Sequence, residues 1–166
     1  HPLPDDKSVK AANAIISLLK QTKKNDLVIF LISGGGSSMV ALPDEDITLE
    51  DKKITTQILL KSGVDIKTLN IVRKKMSKIK GGGLLKYSYP SEIATLIMSD
   101  VVGDQLDMIA SGPTLPDKSD AEEAWREIVG LEIENQLPHE VVKKLKNSSK
   151  KSNKKQKLSK QNTVII

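Results

Sequence analysis

The sequence predicts an α/β protein with a mostly parallel β-sheet flanked by helices. Three observations carry this: two apolar runs of strand length at 27–32 and 93–98, segments of helical periodicity around them, and a small-residue loop after each run. Leu27-Val28-Ile29-Phe30-Leu31-Ile32 is continuously apolar, the pattern of a strand buried on both faces of a parallel sheet. In such sheets ligands sit outside the carboxyl ends of the strands. That is where 33–38 and 99–104 fall.

The other elements follow in order. Val9, Ala12, Ile15, Ile16 and Leu19 recur at helical spacing, and Asp5, Asp6 and Ser8 supply caps and acids, so 8–21 reads as a helix. Thr48 with Asp51 three residues on is a capping-box pattern for a helix running to about Lys61, which Ser62-Gly63 stops. A further helix is expected over 66–80, ended by Gly81-Gly82-Gly83, and others near 119–129 and 138–146. Met76 and Trp125 are expected in the core. Residues 101–116 are rich in glycine and proline and read as loop. Residues 147–162 form a lysine/serine/asparagine linker.

Composition narrows the function. The 166 residues, 38% hydrophobic and 28% charged, suffice for one domain with a core. Without cysteine there is no disulfide or thiolate metal site, and His1 and His139 lie too far apart in sequence to suggest zinc. No apolar run approaches membrane-helix length, and no signal peptide is visible. The net charge of +5 is a local property: from Val141 onward there are nine lysines and no acids. The chain opens at His1 and closes on Thr163-Val164-Ile165-Ile166, an apolar strand just beginning, so an internal fragment is expected. The expected division is a domain over 1–146, the linker over 147–162, and the start of a further strand over 163–166.

Three groups of residues have chemical character. In Ser33-Gly34-Gly35-Gly36-Ser37-Ser38 the glycines let consecutive N–H groups converge on one anion, and the hydroxyls add donors. The loop suits a phosphate or carboxylate. It is neither a Walker loop, since no lysine follows the glycines, nor a G-x-G-x-x-G dinucleotide fingerprint. On the helix expected over 66–80, Asn70, Arg73, Ser77 and Lys80 form a polar stripe beside the apolar stripe Leu69, Val72, Met76 and Ile79. Arg73 can fork onto a carboxylate or phosphate and Lys80 can reach one as a point charge, although a solvated basic face fits the same pattern. Asp100 and Asp104, with Asp107 beyond, follow a strand; carboxylates there can hold Mg²⁺ or accept a proton from an attacking hydroxyl, or simply cap the turn. Ser111-Gly112-Pro113-Thr114 is a further donor-bearing turn. Together these meet the needs of phosphoryl transfer, which are positioning and charge neutralisation.

Four of these segments, in order, resemble the glycerate kinases of the glycerate 2-kinase type, the MOFRL-containing family. They are His1-Pro2-Leu3-Pro4-Asp5, the run Leu31 to Ser38, the run Leu69 to Gly82 with Asn70, Arg73, Ser77 and Lys80, and the run Ser99 to Asp104 continuing to Ile109-Ala110-Ser111-Gly112-Pro113-Thr114. The resemblance covers roughly residues 1–116 and implies a Rossmann-like N-terminal domain, incomplete here, paired with a second α/β domain across an active-site cleft. It implies ATP- and Mg²⁺-dependent phosphorylation of D-glycerate to 2-phosphoglycerate. A cytoplasmic setting is expected, with a mitochondrial one and a homodimer left open. Arg73, Lys80 and Asp104 are expected as catalytic residues and Asp100 and Asp104 as metal ligands. Ser33, Gly34, Gly35, Gly36, Ser37, Ser38, Asn70, Ser77, Ser111, Gly112 and Thr114 are expected to bind substrate or phosphate. The family's catalytic lysine and its second-domain arginine have no counterpart in the chain, so the 166 residues alone are expected to be inactive.

Two other readings compete. A non-catalytic anion- or nucleotide-binding module would use the same scaffold. Nucleic-acid binding through the lysine tail is disfavoured, because none of the four aromatics is interleaved with the basic run to form a stacking platform.

Overall fold

The protein is described from a computed structural model, which covers residues 3–98, 106–149 and 161–165. The elements in chain order are α1 Asp6–Leu19, β1 Leu27–Ile32, α2 Gly36–Met39, α3 Leu49–Lys61, α4 Ile66–Lys75, α5 Gly83–Ser88, β2 Glu92–Ile97, α6 Ala121–Gly130, α7 His139–Ser149 and β3 Gln161–Ile165. The fold is α/β, as the sequence predicts. The chain divides into two compact units. One holds residues 3–42, 79–98, 106–117 and 161–165; the other holds 43–78 and 118–149.

The first unit is built on the sheet. Its described strands are all parallel, in the order β1-β2-β3, with Leu27 opposite Glu92 and Ile32 opposite Ile97. Helix α1 starts on a reciprocal cap: Ser8 N–H donates to Asp5 Oδ1 at 2.8 Å and Asp5 N–H to Ser8 Oγ at 2.7 Å. Its buried Ala12, Ile16 and Leu19 form a core with Ile79 and Leu84, against which Val28 and Phe30 of β1 pack. The opposite face of β1 differs from expectation. Leu27, Ile29 and Leu31 are 59%, 56% and 80% exposed, so among the described residues only one face of this strand is covered. Six consecutive apolar residues specify two dry faces; the described chain supplies cover for one.

The second unit is helical. Thr48 caps α3 through the expected box, accepting from Asp51 N–H at 3.0 Å while Asp51 Oδ2 accepts from Thr48 N–H at 2.8 Å. Asp65 and Asp120 cap α4 and α6 by a single bond each, accepting from the Thr68 and Glu122 N–H groups. Leu59, Leu69, Ile71, Val72, Met76, Ile128, Val141 and Leu145 pack into one apolar cluster. Trp125 packs partly buried at its edge, with the Lys146 ammonium 5.0 Å from its ring centroid. Lys67 and Glu123 join α4 to α6 at 2.6 Å.

Helix α4 is shorter than the period-3.6 pattern predicts. It ends at Lys75, with Met76 as its cap. The carbonyl of Met76 accepts from the Asp44 N–H at 3.0 Å, and Ser77 then forms an antiparallel bridge with Pro43. This pairing takes the chain out of the helix, although Ser77 and Lys80 keep helical spacing in the sequence. Truncating Ile128, fully buried in the cluster, tests that packing: Ile128→Ala should lower unfolding stability by about 2–5 kcal/mol in urea denaturation followed by circular dichroism.

Candidate functional site

The glycine loop sits at the carboxyl end of β1, where the sequence puts it. Ser33, Gly34 and Gly35 are exposed; Gly36, Ser37 and Ser38 are half-buried in the single turn of α2. Gly35 adopts φ +81°, a left-handed conformation that costs a side-chain-bearing residue energy. The first N–H groups of α2 have no acceptor within the helix, so this exposed loop presents donors to solvent. A Cβ at Gly36 would stand 3.2 Å from the Ala110 Cβ, so the missing side chain permits close approach to the 109–111 turn.

Lys80 holds the loop in place. Its side chain is 6% exposed, and its ammonium donates to the Ser37 carbonyl at 2.8 Å, to Ser37 Oγ at 2.9 Å and to the Ala110 carbonyl at 3.4 Å. The Ser37 and Ser111 hydroxyls are 3.0 Å apart. A cation on the Ser37 carbonyl polarises that peptide and makes its N–H, contributed by Ser38, a stronger donor. The positive charge thus bears on the loop's own backbone.

The remaining two motifs dock on each other by main-chain bonds. Gly81 N–H donates to the Ser111 carbonyl at 3.0 Å, Gly82 N–H to Gly112 at 2.7 Å and Leu84 N–H to Pro113 at 3.1 Å. These bonds supply acceptors for the otherwise unsatisfied start of α5. The glycines here serve packing: a Cβ on Gly81 would meet the Asp117 Cβ at 2.8 Å, and one on Gly82 the Leu115 carbonyl oxygen at 3.0 Å. Ala110, Ser111 and Gly112 follow one another in the left-handed region, at φ +50°, +61° and +60°. Two of them carry a Cβ, at a cost of about 1–2 kcal/mol each. Such strain persists where the surroundings over-determine it, and it concentrates at functional sites. Ser111, Gly112 and Thr114 are buried.

The structure therefore brings Ser37, Lys80, Ser111 and Gly112 into one assembly within the first unit. Asn70, Arg73 and Ser77 belong to the second unit. Asn70 and Ser77 are buried. Arg73 is half-buried; among the described residues its guanidinium makes no hydrogen bond or ion pair, and burial lowers its pKa from the usual arginine value. Asp100 and Asp104 lie outside the described residues. Sequence reasoning missed the strained Ala110, for which no signal exists in an alanine codeless of conformation, and the buried Lys52 of α3, whose sequence neighbour Lys53 makes it look like part of a solvated basic pair. No helix among the described residues is long and apolar enough to cross a membrane.

These features define an α/β domain whose strand-end glycine loop is fastened by a buried lysine. Residues 1–146 match the family described as Domain of unknown function (DUF4147). A relative from Pyrococcus horikoshii, named glycerate 2-kinase, is 49% identical over 141 residues, 85% of this chain and 32% of its own. One from Thermotoga maritima, named D-glycerate 2-kinase, is 42% identical over 144 residues, 86% of this chain and 34% of its own. A crystal structure of glycerate kinase from the same organism superposes with a TM-score of 0.81 at 38% identity, over 98% of this chain and 38% of that one. A relative from Agrobacterium vitis, 49% identical over 129 residues (78% of this chain, 33% of its own), carries the provisional name hydroxypyruvate reductase. The chain belongs to the DUF4147 family, and the glycerate kinase resemblance read from its motifs is a true kinship. It spans about a third of the length of these curated relatives.

The fastening role of Lys80 has a direct test. Lys80→Met keeps the volume but removes the donor from the Ser37 and Ala110 carbonyls. It should destabilise the protein by about 2–4 kcal/mol and increase amide exchange at residues 34–38, measured by hydrogen–deuterium exchange. An unchanged melting curve and exchange pattern would show that the loop does not depend on Lys80.

Proposed function

We propose that the chain is part of an enzyme that transfers the terminal phosphoryl group of ATP to D-glycerate, giving 2-phosphoglycerate. The observation that carries this reading is the 33–38 loop at a strand's carboxyl end, exposed over 33–35, with the Ser38 N–H polarised by the buried Lys80. Such a loop takes a phosphate or a carboxylate. The names of the relatives supply the substrate: the proteins from Pyrococcus horikoshii and Thermotoga maritima are named for glycerate phosphorylation.

The chain's own residues divide the work as follows. The loop binds and orients an anionic group of ATP or glycerate. Arg73, half-buried and without a partner among the described residues, neutralises a second one. Lys80 acts through the loop it holds. In the transfer the glycerate 2-hydroxyl oxygen forms the new bond to phosphorus, the bond to the departing ADP oxygen breaks, and the hydroxyl proton passes to a carboxylate, for which we assign Asp104. Asp100, or Asp104 where Asp100 takes the proton instead, offers the hard oxygen donors that suit Mg²⁺, which would supply charge neutralisation of phosphate oxygens. This fit rests on donor chemistry, both residues lying outside the described part of the chain.

Since the chain spans a third of its relatives, the test uses the full-length protein. ADP release should depend on D-glycerate, and Arg73→Lys should lower kcat/KM by about 10²-fold while leaving the melting temperature within a few degrees. Wild-type kinetics in Arg73→Lys would remove that residue from the mechanism. The name of the Agrobacterium vitis relative raises a second reading, reduction of hydroxypyruvate. The loop's lack of G-x-G-x-x-G spacing argues against it. Oxidation of NADH or NADPH by hydroxypyruvate, without glycerate-dependent ADP release, would decide for the reductase.

A further inference from the structure

Lys52 has no part in the mechanism just described. It lies on α3, its side chain only 4% exposed. Its ammonium donates to the Met76 carbonyl at 3.2 Å, the group that closes α4 three residues after Arg73. The charged groups that bear on it, among the described residues, are Arg73 on α4 and Asp44 on the loop before α3; Asp44 is also ion-paired with Lys144 of α7. Asp44 is thus shared between Lys52 and Lys144, while Arg73 adds a further positive charge that bears on Lys52. Neighbouring like charges are costly out of bulk water, and an anion bound at Arg73 relieves that cost.

We propose that Lys52 is a positioning residue for Arg73: it fixes the end of α4 that carries the guanidinium and adds a second positive charge that strengthens Arg73's hold on an anionic substrate group. This rests on the reading of Arg73 as an anion-binding residue. Burial, and next the charge of Arg73, lower the Lys52 pKa to about 8, with Asp44 opposing. By linkage, a ligand anion favours the protonated form of Lys52, so affinity must fall as pH rises through that value. Stability moves the other way. The folded pKa lies below the ordinary lysine value of 10.5, so the unfolded chain binds more protons between the two. The Lys52 contribution therefore destabilises the fold at neutral pH, and that destabilisation is lost as pH climbs from about 8 toward 10.5.

The experiment measures binding of D-glycerate and of ATP to the full-length protein by calorimetry between pH 7.5 and 9.5. Arg73→Met identifies the ligand held by Arg73 as the one it weakens. For that ligand, wild-type affinity is expected to fall roughly 3- to 10-fold across the range. Lys52→Met should be flat with pH, bind at pH 7.5 as weakly as wild type does at 9.5, and still melt at or above the wild-type temperature at pH 7.5. Lys52→Arg should restore affinity and keep it at high pH. A flat wild-type profile overturns the proposal, as does an unchanged slope in Lys52→Met. If Lys52→Met does not fold, the wild-type slope against that of Lys52→Arg decides: equal slopes overturn the proposal. If Arg73→Met weakens neither ligand, the assignment of Arg73 itself fails, a result distinct from failure of Lys52 alone.

Discussion

The first unit depends on one buried ammonium. Lys80 reaches the Ser37 carbonyl and hydroxyl, and more weakly the Ala110 carbonyl, from the start of the glycine triplet that leads into α5. Three segments from separate parts of the sequence are fastened at that point: the loop after β1, the 80–83 turn, and the strained 110–112 turn. A lysine buried this deeply is tolerated only when its protons are accepted by nearby oxygens. The oxygens here are the Ser37 and Ala110 carbonyls and the Ser37 hydroxyl, and Gly36 lets their two segments approach, since a Cβ there would stand 3.2 Å from the Ala110 Cβ. The chemistry of the loop and the packing of the unit are therefore one constraint.

That constraint changes the meaning of the glycine motifs. As a sequence, 33–38, 81–83 and 111–114 are three small-residue turns, each able to present donors to an anion. In the structure only the first keeps exposed glycines, Gly34 and Gly35. The N–H groups of Gly81 and Gly82 are engaged by the carbonyls of Ser111 and Gly112. Two of the three motifs form the foundation on which the third stands.

How much was legible follows from the range of the forces involved. The α/β class, the two apolar strands and the caps at Asp5 and Thr48 are set by local periodicity and local hydrogen bonds, and they could be read directly. The end of α4 could not be read, because it is decided by the Asp44 N–H and by the pairing of Pro43 with Ser77, both distant in sequence. For the same reason the stripe Asn70-Arg73-Ser77-Lys80 does not continue along one helix: Ser77 and Lys80 lie beyond the end of α4. The open face of β1 was misjudged because a continuous apolar run reports that both faces want cover, not which residues provide it. Lys52 was invisible because burial of a lysine leaves no trace in the identity of the residue.

The most direct test of the central claim is a crystal structure of the full-length protein with an ATP analogue and D-glycerate. The expected result is an anionic oxygen of one ligand within hydrogen-bond distance of backbone N–H groups between Gly34 and Ser38, with the Lys80 ammonium still on the Ser37 carbonyl. A loop without an anion, or a Lys80 side chain drawn off Ser37 onto the ligand, would contradict it.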